Sequence, residues 1–213
     1  MNPERRKRAL QFFAIAAAVL PAAQLIASAL TGGLGANPVE KITHVTGDWA
    51  LRFLLLSLSV TPLRRLFGWH WVVPLRRTLG LTAFGYACCH FFTFLALDHF
   101  FDWRSIVEDV LERRYVTAGF SAFLCLVPLA ATSTRAMMRR LGRRWVPLHR
   151  LAYLAAALGV VHFLWLVKSD LREPLLYAAA LALLLGLRIG FWLARSRSRN
   201  ASPKEPKSRP SGA

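Results

Sequence analysis

The sequence predicts an all-α fold: a polytopic membrane helix bundle of about six transmembrane helices, with both termini in the cytoplasm. Three observations carry this reading. Hydrophobic residues make up 55% of the 213-residue chain and mean hydropathy is +0.37, more than a soluble core of this length needs. The apolar residues gather into runs near the roughly 20 residues that cross about 30 Å of hydrocarbon. The basic residues collect in every second loop.

Six spans are expected along the chain. The first runs from about Leu10 to Leu30 and the second from about Trp49 to Leu63. The third runs from about Leu79 to Leu97, the fourth from about Val116 to Ala131, the fifth from about Leu148 to Val167, and the sixth from about Leu175 to Ala194. The second and fourth are short for a crossing, which flanking arginines can offset by snorkelling. Ala27, Ser28 and Ala29 resemble a signal-cleavage site, but the first run is longer than a typical signal-peptide core, so it is taken as a span.

The loop charges set the orientation. Arg5, Arg6, Lys7 and Arg8 precede the first run, and Arg64, Arg65, Arg76 and Arg77 lie between the second and third. Arg135, Arg139, Arg140, Arg143 and Arg144 lie between the fourth and fifth, and Arg195, Arg197, Arg199, Lys204, Lys207 and Arg209 follow the sixth. Most of the 28 Lys and Arg residues thus fall on one side, which the positive-inside rule places in the cytoplasm. The same clustering accounts for the net charge of +17 as topology, so a nucleic-acid partner is not expected. Residues 1–9 read as a basic N-terminus, 10–194 as the membrane domain, and 195–213 as a disordered basic tail in contact with membrane lipid. No internal repeat is evident.

Cys88, Cys89 and Cys125 fall within spans without metal-binding spacing and read as packing residues. His90, His149 and His162 are more informative, because a titratable ring in a bilayer is costly and usually functional. Imidazole is a common axial ligand of haem iron. The third and fifth spans both enter from the cytoplasm, so His90 and His162 lie at similar depth near the far face. They are the expected ligand pair for one haem; the alternative role is an interhelical hydrogen bond. His149 lies thirteen residues before His162, about 20 Å away along an ideal helix and about 140° away around it. One haem cannot be ligated by both.

Particular segments carry a resemblance. Arg76-Arg77-Thr78-Leu79-Gly80-Leu81 followed by Tyr86 and His90 is similar to the third span of the ferric-reductase-like transmembrane family. Trp145-Val146-Pro147-Leu148-His149-Arg150-Leu151-Ala152-Tyr153 followed by His162 resembles its fifth. Gly47-Asp48-Trp49-Ala50-Leu51 and Thr61-Pro62-Leu63-Arg64-Arg65 narrow the resemblance to one bacterial branch.

The resemblance implies haem b and FMN as cofactors, an inner-membrane location, and His90, His149 and His162 as haem-associated residues. It implies electrons drawn from a quinol or a separate flavin reductase and passed to a periplasmic molybdopterin reductase of methionine sulfoxide. The wider family pairs two histidines on each of two helices and stacks two haems. Here Arg76 or Arg77 stands where the second histidine of the third span is expected, so either one haem binds or His149 uses another partner such as His70. Arg76, Arg77 and Arg150 are placed to meet haem propionates or an FMN phosphate, or are topology signals.

Tyr86, Phe94 and Tyr153 are expected against the porphyrin, with Ala155, Ala156, Ala157 and Gly159 leaving room for it or for a close helix. The acids Asp98, Asp102, Glu108, Asp109 and Glu112 offer a docking patch or simply avoid positive charge outside. The other readings left open are a membrane cytochrome that reduces ferric ions directly, and a haemless transporter or scaffold.

Overall fold

The computed structural model describes residues 3–201, which form nine α-helices and no strand among the described residues. They are α1 (Pro3–Leu30), α2 (Pro38–Phe67), α3 (Leu75–Thr93), α4 (Trp103–Glu112), α5 (Arg114–Ala131), α6 (Arg135–Leu141), α7 (Trp145–Leu148), α8 (Leu151–Leu166) and α9 (Arg172–Ala201). A π-helical turn, Phe94–Asp98, continues α3.

Local chemistry fixes the ends. Asn37 caps α2 by accepting from the Glu40 amide at 3.3 Å, with Pro38 in the first turn. Gly68 closes the helix in a left-handed conformation at φ 68°, which a side chain would resist. Asp102 caps α4 through the Arg104 amide at 3.1 Å.

Among the described residues, four helices are long and apolar enough to cross a membrane: Arg8–Leu30, His70–Asp98, Arg114–Ala131 and Arg172–Ser196. The pair Arg135–Leu148 and Leu151–Leu166, bent by 49°, meets the same test taken together, as one broken span or a re-entrant loop. The second expected span differs. It lies inside α2, whose 30 residues reach about 45 Å, but Glu40, Lys41, Asp48, Arg52, Arg64 and Arg65 dilute its apolarity. Glu40, Lys41 and Arg65 are exposed near its ends, and Asp48 and Arg52 pair at 3.7 Å. Leu51, Phe53, Leu54, Leu55, Ser57, Leu58, Val60 and Pro62 are buried by neighbouring helices, so α2 is the bundle's central element and presents little surface to lipid.

The outer helices show the opposite pattern. Phe12, Phe13, Val19 and Ile26 of α1 and Leu176, Leu183, Ile189 and Trp192 of α9 are exposed, an apolar surface suited to acyl chains. Where helices meet closely the residues are small: Ala83 and Ala156 are wholly buried, Ala155 nearly so. The most extensive packing is between α2 and α3 and between α5 and α8. Of the basic tail expected from residue 195, residues 195–201 continue α9, and the rest lies outside the described residues.

Candidate functional site

A cavity of about 660 Å³ opens between α2, α3, α5 and α8, within the range of small-molecule and cofactor sites. Its walls are apolar, with Leu51, Leu54, Phe91, Phe120, Phe123 and Leu126 among them; Asp98, His99, Ser105, Asp109 and Arg113 stand at a polar edge. His90 from α3 and His162 from α8 enter it together. Their ring centroids are 6.1 Å apart and their planes nearly perpendicular, at 79°.

Each ring is fixed by the neighbouring helix. His90 Nδ1 lies 2.9 Å from the Thr43 carbonyl of α2, and His162 Nδ1 lies 2.7 Å from the Tyr115 carbonyl of α5. A carbonyl only accepts, so each Nδ1 carries the proton and donates it. That leaves each Nε2 unprotonated, the form that ligates a metal. Glycines make the approach possible. A Cβ on Gly47 would lie 3.0 Å from the His90 ring, and one on Gly119 would lie 2.7 Å from His162 Nδ1.

Of the two expected roles, the interhelical hydrogen bond is the one seen, and it leaves each Nε2 in the form that can ligate a metal. The residues fit a haem. An iron–imidazole bond of about 2 Å on either side calls for ring centres about 6 Å apart, close to the spacing seen. Among the described residues no group of three or more His, Cys, Asp or Glu side chains is placed to hold a metal ion. The two histidines would supply two of an iron's ligands, and a macrocycle would supply the rest.

The arrangement also shows a repeat that the residue pattern hid. Each histidine follows its carbonyl acceptor by 47 residues, and Thr43, Gly47 and His90 precede Tyr115, Gly119 and His162 by 72 positions each. The acceptors are main-chain atoms, so Thr and Tyr serve alike and the sequence looks unrelated.

The other expected residues lie elsewhere. His149 does not line the cavity. It falls in the turn between α7 and α8 and stacks on Trp145 at 3.9 Å, with Nδ1 3.2 Å from the Trp145 carbonyl. Tyr86 is not a wall residue: its hydroxyl donates to the Ala18 carbonyl at 2.7 Å and accepts from the Ala22 amide at 3.1 Å, tying α3 to α1. Tyr153 instead accepts a hydrogen bond from Arg188. Phe94, Ala155 and Gly159 do line the cavity. Arg77 and Arg150 are exposed, and Arg77 borders a small separate recess with Gln11 and Thr78.

The acids between α3 and α5 are largely engaged. Asp109 meets His99 Nε2 at 3.3 Å and Arg113 Nε at 3.1 Å, and Glu108 meets Arg104 at 3.2 Å. Ser105 Oγ lies 2.9 Å from His99 Nδ1. Sequence reasoning missed Thr43, Tyr115 and both mounting glycines. The available signal was a glycine four residues after each acceptor inside an apolar helix, where glycine otherwise costs about 1 kcal/mol.

A family model described as ferric reductase like transmembrane component matches residues 46–160, just over half of the chain. A protein of Herminiimonas arsenicoxydans is 52% identical, with 86% of this chain and 85% of the relative covered. One of Rhodospirillum rubrum is 50% identical over 87% of this chain and 89% of its own length. One of Ralstonia nicotianae is 44% identical over 94% of each. All three bear the name protein-methionine-sulfoxide reductase heme-binding subunit MsrQ. No solved structure matches the chain.

Proposed function

The chain belongs to the ferric-reductase-like transmembrane family, among the MsrQ subunits, and from that premise we propose that it is a haem-binding electron-transfer subunit of a methionine-sulfoxide reductase system. His90 and His162 hold one b-type haem between α3 and α8. The observation that carries this reading is the pair of Nδ1–H bonds to the Thr43 and Tyr115 carbonyls, which leave both Nε2 atoms free to ligate. Bound there, a haem would supply a one-electron redox couple suited to outer-sphere transfer.

The protein's part is positioning. The two carbonyls fix tautomer and ring orientation. Gly47 and Gly119 let the rings lie against α2 and α5. Phe91, Phe120, Phe123 and Leu126 keep the surroundings apolar, which restricts water and helps set the potential.

Electrons enter from a quinol of the membrane pool or from a separate flavin reductase. They leave to MsrP, a periplasmic molybdopterin reductase that restores methionine from its sulfoxide. The names of the relatives support a place in that system. FMN belongs at the arginine-rich end, where Arg77 and Arg150 are exposed and able to pair with its phosphate; His149 lies at the same end as a further haem-associated group. The charge bias puts that end in the cytoplasm and the connection bearing α4 in the periplasm, in the inner membrane of a bacterium. The docking side for MsrP is then the surface around α4.

Reduced-minus-oxidised spectra with pyridine haemochrome quantitation test the reading on detergent-purified protein. A low-spin b-type signal in the wild type, lost in His90→Ala and in His162→Ala, is the expected result. A folded wild type without haem overturns it. Fast reduction of ferric chelates in the absence of MsrP would redirect it to a metal-reducing cytochrome.

A further inference from the structure

A cation buried among apolar helices is costly unless an anion accompanies it. Arg188 of α9 has no such partner among the described residues. Its guanidinium donates to the Tyr153 hydroxyl of α8 and to the Leu58 carbonyl of α2 at 3.1 Å. It lies 4.6 Å from the centre of the Tyr153 ring. Its Nε is buried and without a hydrogen-bond partner among the described residues. Every acceptor it uses is neutral.

Its charged neighbours are cations. Arg76 and Arg65 are the groups that act on it electrostatically, and Arg64 acts in turn on Arg76. The helices bring them to one place. The Arg76 carbonyl accepts from Ser57 Oγ at 2.9 Å, and Ser57 adjoins Leu58, the residue that holds Arg188. Arg65 lies further along α2 and stands over Phe191 at 5.1 Å, about one turn past Arg188 on α9. The described ion pairs, which engage Glu40, Asp48, Glu108, Asp109 and Asp170, involve none of these arginines.

We propose that Arg188, Arg76 and Arg65 form a binding site for a phosphate oxyanion, carried by an anionic lipid headgroup or taken up as free phosphate, separate from the exposed Arg77 and Arg150 assigned above to FMN. Phosphate suits the set because several oxygens bearing one or two negative charges can engage several planar guanidinium forks at once. Basic pockets between membrane helices are a common setting for lipid phosphates. The site stands apart from the histidine cavity and does not depend on the haem reading.

The test is thermal unfolding of the full chain in a neutral detergent and phosphate-free buffer. The probes are phosphatidylglycerol against phosphatidylcholine, and inorganic phosphate against chloride at matched ionic strength. The wild type should melt higher with phosphatidylglycerol or with inorganic phosphate, and the dose needed should rise at least about tenfold in Arg188→Gln, the equivalent of one charge-assisted hydrogen bond. A response to phosphatidylglycerol alone assigns the lipid source; a response to inorganic phosphate but not to chloride assigns free phosphate. Arg65→Gln, at an exposed position, supplies the same comparison if Arg188→Gln does not fold. The proposal is overturned if no phosphate probe shifts the wild type, or if the folded variants respond as the wild type does. Haem content measured on the same samples keeps the two readings separate.

Discussion

On the α2–α3 side of the cavity, His90 donates to Thr43 at 2.9 Å and faces Gly47, where an added Cβ would come to 3.0 Å. On the α5–α8 side, His162 donates to Tyr115 at 2.7 Å and faces Gly119, where the same Cβ would come to 2.7 Å. The second mount is the tighter one. The first carries an extra brace: the Thr43 hydroxyl donates to Thr93 Oγ at 3.3 Å, and Thr93 donates to the His90 carbonyl at 2.7 Å. On the second side Arg113 donates to the Tyr115 hydroxyl at 3.3 Å, holding the side chain of the residue whose carbonyl does the work. The difference teaches that one device can be built twice from unlike side chains, because its essential acceptor is the main chain.

Replacing either histidine by alanine has the largest expected effect. With one axial position gone, the low-spin b-type spectrum should vanish in both variants, and a normal spectrum in either would break the pairing. Gly119→Ala comes next. At 2.7 Å the ring or helix must shift, an overpacking cost of about 1–3 kcal/mol that should appear as reduced haem retention. Because alanine favours a helix over glycine by about 1 kcal/mol, the apo chain should still fold by circular dichroism, which separates ligation from folding.

Gly47→Ala should act in the same direction but less, since its neighbour needs only a small displacement. If titration with haem ranked Gly47→Ala as the more damaging, the inequality of the mounts would be wrong. Thr93→Val should cost about 0.6 kcal/mol in the thermal stability of the folded protein, from the brace present on the His90 side alone. Tyr115→Phe should leave haem content and spectrum unchanged, because the carbonyl and not the phenol holds His162. A loss of haem in that variant would show that the side chain matters after all.

Much of this was legible residue by residue. His90 and His162 could be paired because depth accumulates steadily along a helix, about 1.5 Å per residue, and the loop charges give each span its direction. The same arithmetic separated His149 from His162, and the structure places His149 outside α8, beside Trp145. Tyr86 and Tyr153 were expected against a porphyrin because aromatic rings suit one. Their hydroxyls instead tie α3 to α1 and anchor Arg188, contacts that depend on which way a helix face is turned. Arg188 itself had a signal, a lone charge inside the apolar sixth run, but its neutral acceptors and cationic neighbours come from helices distant in the chain.

By itself the sequence determined the class of the molecule and the depth of its histidines. Apolar content and run length require a membrane bundle, and these properties add up along the chain without reference to neighbours. The tertiary structure alone decided the azimuth of each ring, the nitrogen that carries its proton, and the glycines that admit it. Those depend on which backbone carbonyl an adjacent helix presents and how closely it approaches. Such contacts join residues 47 positions apart through atoms that every residue type shares.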